Sequence, residues 1–189
     1  YELVWKVHFE HAQVEERAAE LAAIGIHNRT GQLLSVARNS LLDPARICYV
    51  NSTMACPPNL RWKIWLAGAR MELSAGKVAK ARELLQLAYT NAPEKSRSNV
   101  YLECSRVEEY LGNVSAARRI LARARAKVPR EWKIFLESVL LEARTGNLYA
   151  AIQAAERALE VHSGTGRLWA VLILLVHRVE GLRAPQTIV

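Results

Sequence analysis

Nine glycines and six prolines in 189 residues leave few places for the chain to turn, and this scarcity argues against a fold built from many short strands. Three cysteines, Cys48, Cys56 and Cys104, are odd in number and have no metal-like spacing, so they suggest neither a disulfide framework nor a zinc site and suit a reducing compartment. No stretch is apolar over the length needed to span a bilayer; the strongest, Leu168-Trp-Ala-Val-Leu-Ile-Leu-Leu-Val176, is too short. No signal peptide is expected from this stretch. A chain that opens on Tyr1 without a methionine is expected to be a piece of a longer protein.

Catalytic signatures are missing as well. The five histidines are scattered, and no nucleophile stands beside a plausible base. His162-Ser-Gly-Thr-Gly166 holds two glycines but no following Lys-Ser/Thr and no preceding strand, which excludes a phosphate loop. His8, His11 and Glu15 fall at helical spacing. The zinc-helix pattern needs two histidines four apart with a glutamate beside the first, so these read as surface residues. No catalytic residue, metal ligand or cofactor is expected.

What the chain has is apolar residues at helical spacing, with half the composition apolar and 23% charged. Trp65 to Pro93 is the clearest stretch. Trp65, Ala69 and Glu72 share one face of a first helix. Gly76 can close that helix in the left-handed region. Ala81, Leu84, Leu85, Ala88 and Tyr89 form the stripe of a second helix over about 78–90, and Pro93 follows its end.

Thirty-six residues later the same positions hold Tyr101, Glu108, Gly112, Ala117-Arg118, Ala124 and Pro129. A further copy has Phe135, Glu142, Gly146, Ala151 and Ala158, and an earlier one retains Ala45-Arg46 and Pro57. A period of this size means stacked helical hairpins that share a core. The aromatic should fill the space between paired helices, and the alanines should let the second helix approach closely.

These residues resemble the half-a-TPR (HAT) repeat, a relative of the tetratricopeptide repeat. The acidic residue of the first helix matches Glu72, Glu108 and Glu142, and the Ala-Arg pair of the second matches Ala45-Arg46, Ala81-Arg82 and Ala117-Arg118. The resemblance covers about 28–164. It departs at Ala151-Ile152, at Ser163 in place of proline, at Arg29 in place of the aromatic and at Val36 in place of the acid, so an ordinary tetratricopeptide reading stays open.

The expected fold is all-α, a right-handed superhelical solenoid of antiparallel helix hairpins forming one domain over 1–189. A helix at 2–24, ended by Gly25, has Trp5, Phe9 and Ala12 on one stripe, with Val14, Ala18, Leu21 and Ala22 continuing an apolar face. Repeats follow at about 28–57 (first helix near 29–39), 62–93, 98–129 and 132–164, then a terminal helix at 167–182. Asp43, Asn113 and Asn147 are expected to cap helices through their side chains.

The net charge of +8 attracts polyanions, and it is unevenly placed. Five glutamates oppose Lys6 and Arg17 in residues 1–24, whereas seven cations oppose Glu131 in residues 114–133. Arg118 should point inward to a carboxylate such as Glu108. Arg119, Arg123, Lys127 and Arg130 form one exposed row, either a solvated face or a phosphate-contacting stripe. Trp132 nearby either stacks on a base or packs into the next helix.

The HAT resemblance implies a non-enzymatic scaffold in an RNA-processing assembly (splicing, 3′-end formation, ribosomal or organellar RNA maturation), with protein partners, a contact to RNA as the sharper reading, and a nuclear location. The cytoplasm and organelles are the alternative locations. The tetratricopeptide alternative is an adaptor whose first helices clamp an acidic peptide tail, with Lys63, Arg70, Lys77 and Arg106 as the clamp. No membrane contact is implied. The apolar helix from Leu168 should be buried on both sides, covered by the tail, by a further part of the protein or by another copy of the chain, and for the last Trp169, Leu172 and Leu175 are candidates for self-association as a homodimer.

Overall fold

A computed structural model describes residues 3–30 and 39–183. Nine helices account for most of them: α1 (Val4–Thr30), α2 (Asp43–Ala55), α3 (Arg61–Ser74), α4 (Val78–Asn91), α5 (Arg97–Tyr110), α6 (Val114–Lys127), α7 (Trp132–Arg144), α8 (Leu148–Val161) and α9 (Gly166–Arg183). Single 3-10 turns, Pro58–Leu60 and Glu94–Ser96, precede α3 and α5. There is no strand among the described residues. The chain divides into two compact units, Tyr1–Val100 and Tyr101–Val189.

Three helices end alike because glycine lets them. Gly76, Gly112 and Gly146 have φ of 76°, 78° and 84°. Each N–H donates three residues back, to Leu73, Glu109 and Ala143, while the next residue's N–H donates five back, to Glu72, Glu108 and Glu142, at 2.8–2.9 Å. Both bonds satisfy carbonyls that the helix leaves over. A Cβ at Gly112 would meet nothing within 4 Å, so the requirement is purely one of backbone conformation. Gly112→Ala should therefore cost about 1 kcal/mol, read as a lower urea midpoint; an unchanged midpoint would mean the left-handed turn is not needed.

The side-chain caps take a different form. Asn113 and Asn147 occupy the cap positions, but neither side chain bonds to the helix it precedes. Their Nδ2 groups instead donate to Glu108 Oε2 (3.1 Å) and Glu142 Oε2 (3.3 Å) at the end of the previous helix. A bond to an ionised carboxylate is charge-assisted, so it turns each amide toward the preceding helix. Asp43 is the first residue of α2 rather than its cap, and it accepts from Arg46 Nη1 at 2.7 Å.

The recurring alanines do what their size permits. Ala45, Ala81, Ala117 and Ala151 are all 0% exposed, and Ala88, Ala124 and Ala158 are buried seven residues on. Tyr49, Leu85, Leu121 and Ala155 lie between them, also buried. Each second helix thus presents a seam at i, i+4 and i+7 to its neighbours.

The beginning of the chain corrects two expectations. α1 runs through Gly25 to Thr30, since an interior glycine weakens a helix by only about 1 kcal/mol without ending it. Its buried stripe continues from Trp5 and Ala12 to Ala19 and Ala23, whereas Val14, Ala18, Leu21 and Ala22 are exposed. The proposed first helix near 29–39 lies mostly outside the described residues. Among those described, α2 packs on α1. The Ser52 hydroxyl donates to Trp5 O at 2.8 Å, the Phe9 and Tyr49 rings meet edge-on at 6.0 Å, and the Tyr49 hydroxyl donates to Glu16. Phe9 and Glu16 are seven apart, as are Trp65 and Glu72, so α1 supplies the aromatic and the acid that the first copy lacks at 29 and 36.

In the second unit α9 buries Leu168, Leu175 and Val179 against α7 and α8. Its opposite face is bare, with Ile173 64% and Leu174 67% exposed, so the expected burial on both sides is not met within this unit.

Candidate functional site

Two of the Ala-Arg arginines, Arg46 and Arg118, are held by glutamates of the following hairpin. Arg46 donates to Glu72 through Nε (2.8 Å) and Nη2 (3.0 Å), and Arg118 to Glu142 through Nε and Nη2, both at 2.7 Å. The expected partner of Arg118, Glu108, is thus replaced by the equivalent acid of the next copy: a second helix lies against the first helix that follows it. These planar two-point contacts fix orientation as well as charge. The Arg118 guanidinium, ahead of the opposing effect of burial, holds the Glu142 carboxyl below its usual range.

A second network joins α5 and α7 inside the second unit. Buried Glu137 accepts from Arg106 Nη2 (2.9 Å) and Arg144 Nη2 (2.7 Å). Arg106 also donates to Glu103 (3.0 Å), and Arg144 holds Glu109 in a two-point contact at 2.6 and 2.8 Å. Burial pushes the Glu137 carboxyl up, but the two guanidinium groups outweigh it and the net direction is down.

The remaining cations of α6 point elsewhere. Arg119, Arg123 and Lys127, and Arg130 just beyond the helix, are exposed, and none is paired with a carboxylate among the described residues. Spaced four, four and three apart, they line the side of α6 away from Ala117, Leu121 and Ala124. Trp132, half-buried, opens α7.

Of the clamp residues, Lys63, Arg70 and Lys77 lie in the first unit and Arg106 in the second. Lys63 and Arg70 are exposed seven residues apart on α3, about 10 Å along its axis. Lys63 lies over the Trp62 ring at 5.8 Å. Arg70 lines a hollow with Glu16 and Glu20 of α1. Lys77 is exposed at the start of α4. Arg106 belongs to the second unit and is engaged by Glu103 and Glu137. Of the self-association residues, Trp169 is exposed with its Nε1 donating to Ser163 O (2.7 Å), Leu172 is half-buried, and Leu175 is buried in the core of its unit. The exposed apolar face of α9 is therefore Trp169, Ile173 and Leu174.

Among the described residues, no group of three or more His, Cys, Asp or Glu side chains is placed to hold a metal. His11 Nε2 lies 3.2 Å from Glu15, and its Nδ1 faces the Cys48 thiol at 3.5 Å. Burial raises all three thiols, Cys104 up to about 11, so none is poised as a thiolate. No helix among the described residues is long and apolar enough to cross a membrane.

Sequence reasoning missed a cavity in the second unit lined by Arg125 of α6 and Arg157 of α8. The signal was available as a register difference. Arg125 stands eight residues after Ala117, and the position eight residues after Ala45 is Thr53.

Helix pairs closed by glycine, joined by alanine seams and locked by Arg–Glu contacts define a TPR-like helical-repeat protein. The family model for "PRP6, TPR-like domain" matches residues 1–188, and the chain belongs to that family. It is also 44% identical over 187 residues to a TPR-containing protein of Dictyostelium discoideum. That alignment covers 99% of this chain and 13% of the relative, so the chain spans a small part of the relative's length.

Proposed function

We propose that this chain is a non-catalytic protein-interaction scaffold in a nuclear pre-mRNA splicing assembly, touching RNA along the row from Arg119 to Arg130. The observation that carries the reading is the family match along the whole chain, since PRP6 is a splicing-factor family. The mechanism is geometric. Stacked hairpins hold their second helices at fixed spacing, and a partner recognises the resulting surface. Arg118 is engaged by Glu142. The exposed row carries no such debt and suits sequence-independent phosphate contact. The acidic-tail adaptor reading has less support, because Arg106 is engaged by two glutamates.

Two measurements test this. Affinity purification of the full-length protein from nuclei should recover splicing ribonucleoproteins; recovery of none would sink the splicing assignment. Separately, a fluorescent single-stranded RNA should bind this chain with strong salt dependence. The triple variant R119E/R123E/K127E should lower the slope of log K against log salt by about 2. An unchanged slope would make the row a solvated face.

A further inference from the structure

The second unit contains a cavity of about 570 Å³ between α6 and α8, floored by α7. Phe135, Ala154 and Ala158 give it apolar walls, and it takes one guanidinium from each flanking helix, Arg125 and Arg157. The first unit has the matching groove between α2 and α4 over α3, about 380 Å³, whose lining includes Thr53, Met54, Trp65, Lys80 and Leu84. That groove forms without a cation at the Arg125 position. The fold therefore does not require a charge there.

Neither arginine is neutralised. Arg125 donates to the Ser138 hydroxyl, which itself donates to Ile134 O at 2.8 Å, so the guanidinium is oriented by a neutral group. Arg157 has no hydrogen-bond or ion-pair partner among the described residues. The acid in the lining, Glu142, is already held at two points by Arg118. Burial, and then the positive charge of Arg157, pushes the Arg125 guanidinium below its ordinary range. Arg125 is half-buried and Arg157 exposed, and an anion that reaches both guanidinium groups offsets their mutual repulsion.

We propose that this cavity receives a phosphorylated serine or threonine side chain from a partner polypeptide. The inference rests on the scaffold reading above and names the chemistry one of its surfaces recognises. A phosphomonoester brings about two negative charges and three acceptor oxygens, enough to answer both guanidinium groups at once. A carboxylate can bridge two guanidinium groups, as Glu137 does, but it brings a single negative charge against two positive ones. An RNA strand brings neighbouring phosphates toward the Glu142 carboxylate, whereas the exposed row on α6 offers it cations without that obstacle.

The test uses the whole chain with its arginines labelled with nitrogen-15, following the Nε–Hε resonances. Three probes are titrated in parallel: N-acetyl-phosphoserine methylamide, N-acetyl-glutamate methylamide and an oligouridylate. The Arg125 and Arg157 signals should move saturably with the phosphoserine compound and about tenfold more weakly with the glutamate compound, and in R125Q the Arg157 signal should no longer respond. R125Q removes a like charge and should not lower the melting temperature; R157K, which keeps the charge, should retain weakened binding. Signals that move no more than that of Arg119 overturn the proposal. An equal response to the glutamate compound overturns the phosphate assignment. A saturable response of these two signals to oligouridylate overturns the polypeptide occupant. Failure of the nuclear purification with a positive titration would leave the cavity chemistry standing and remove only the splicing context.

Discussion

Replacing Ala117 with leucine is expected to lower the stability of this chain by about 2 kcal/mol, within the usual range for overpacking a tight contact. Ala117 is 0% exposed and begins the seam that α6 presents with Leu121 and Ala124. Leucine is nearly as good a helix former as alanine, so a loss cannot be assigned to the helix itself. The three added carbons have to displace a neighbour or tilt α6. Tilting is costly here, because Arg118 on the same turn is held at two points by Glu142 and would have to move with it. Ala126→Leu on the exposed side of the same helix is the control, with an effect near zero. In a chain of this length about 2 kcal/mol corresponds to a melting point lower by about 4–8 °C. If Ala117→Leu melted with Ala126→Leu, the close approach of helices would not be what selects a small residue at 45, 81, 117 and 151.

Those four alanines were legible because each copy faces the same geometric demand, and a demand met repeatedly leaves a periodic trace. The glycines at 76, 112 and 146 were legible for the same reason: one backbone conformation, required three times. Where a demand is met only once, the sequence is ambiguous. α1 carries two apolar stripes, and periodicity cannot say that the one through Ala12 and Ala19 is buried while the one through Val14 and Leu21 is not. Phe9 and Glu16 have the right mutual spacing but lie twenty residues upstream of register, so a search at fixed period finds Arg29 and Val36 instead. The Arg118 partner failed for a related reason. Glu108 and Glu142 are equivalent positions of successive copies, and the choice between them depends on which first helix packs beside α6. The cavity residues left no periodic trace because they are departures from the repeat. Finding them needs the question of which copies break the pattern.

The Glu137 network is the other place where one substitution should have a large effect. Glu137→Ala removes the shared acceptor of Arg106 and Arg144, leaving those arginines with Glu103 and Glu109 alone. A hydrogen bond to a charged group contributes about 1.5–3 kcal/mol. Both arginine side chains are about half exposed, and water takes over part of what the carboxylate supplied, so the expected loss is about 2 kcal/mol for the pair of contacts together. Glu137→Gln isolates the charge, since it keeps the shape and one acceptor oxygen. The sign of the pH dependence follows from the direction of the shift. The folded state holds Glu137 below the ordinary carboxylate value of 4.5, and the unfolded chain does not. The stabilisation is therefore fully present above about 4.5 and is lost as pH falls through the folded value. Glu142, held down by Arg118, acts in the same direction. Urea midpoints of wild type and Glu137→Gln should differ clearly near pH 7 and approach one another near pH 3, while Glu160→Gln on the exposed side of α8 should change neither. A gap between wild type and Glu137→Gln that persisted undiminished in acid would mean that the variant is weakened by its NH2 group facing the two guanidinium groups, and that the pairing of α5 with α7 does not depend on the charge of Glu137.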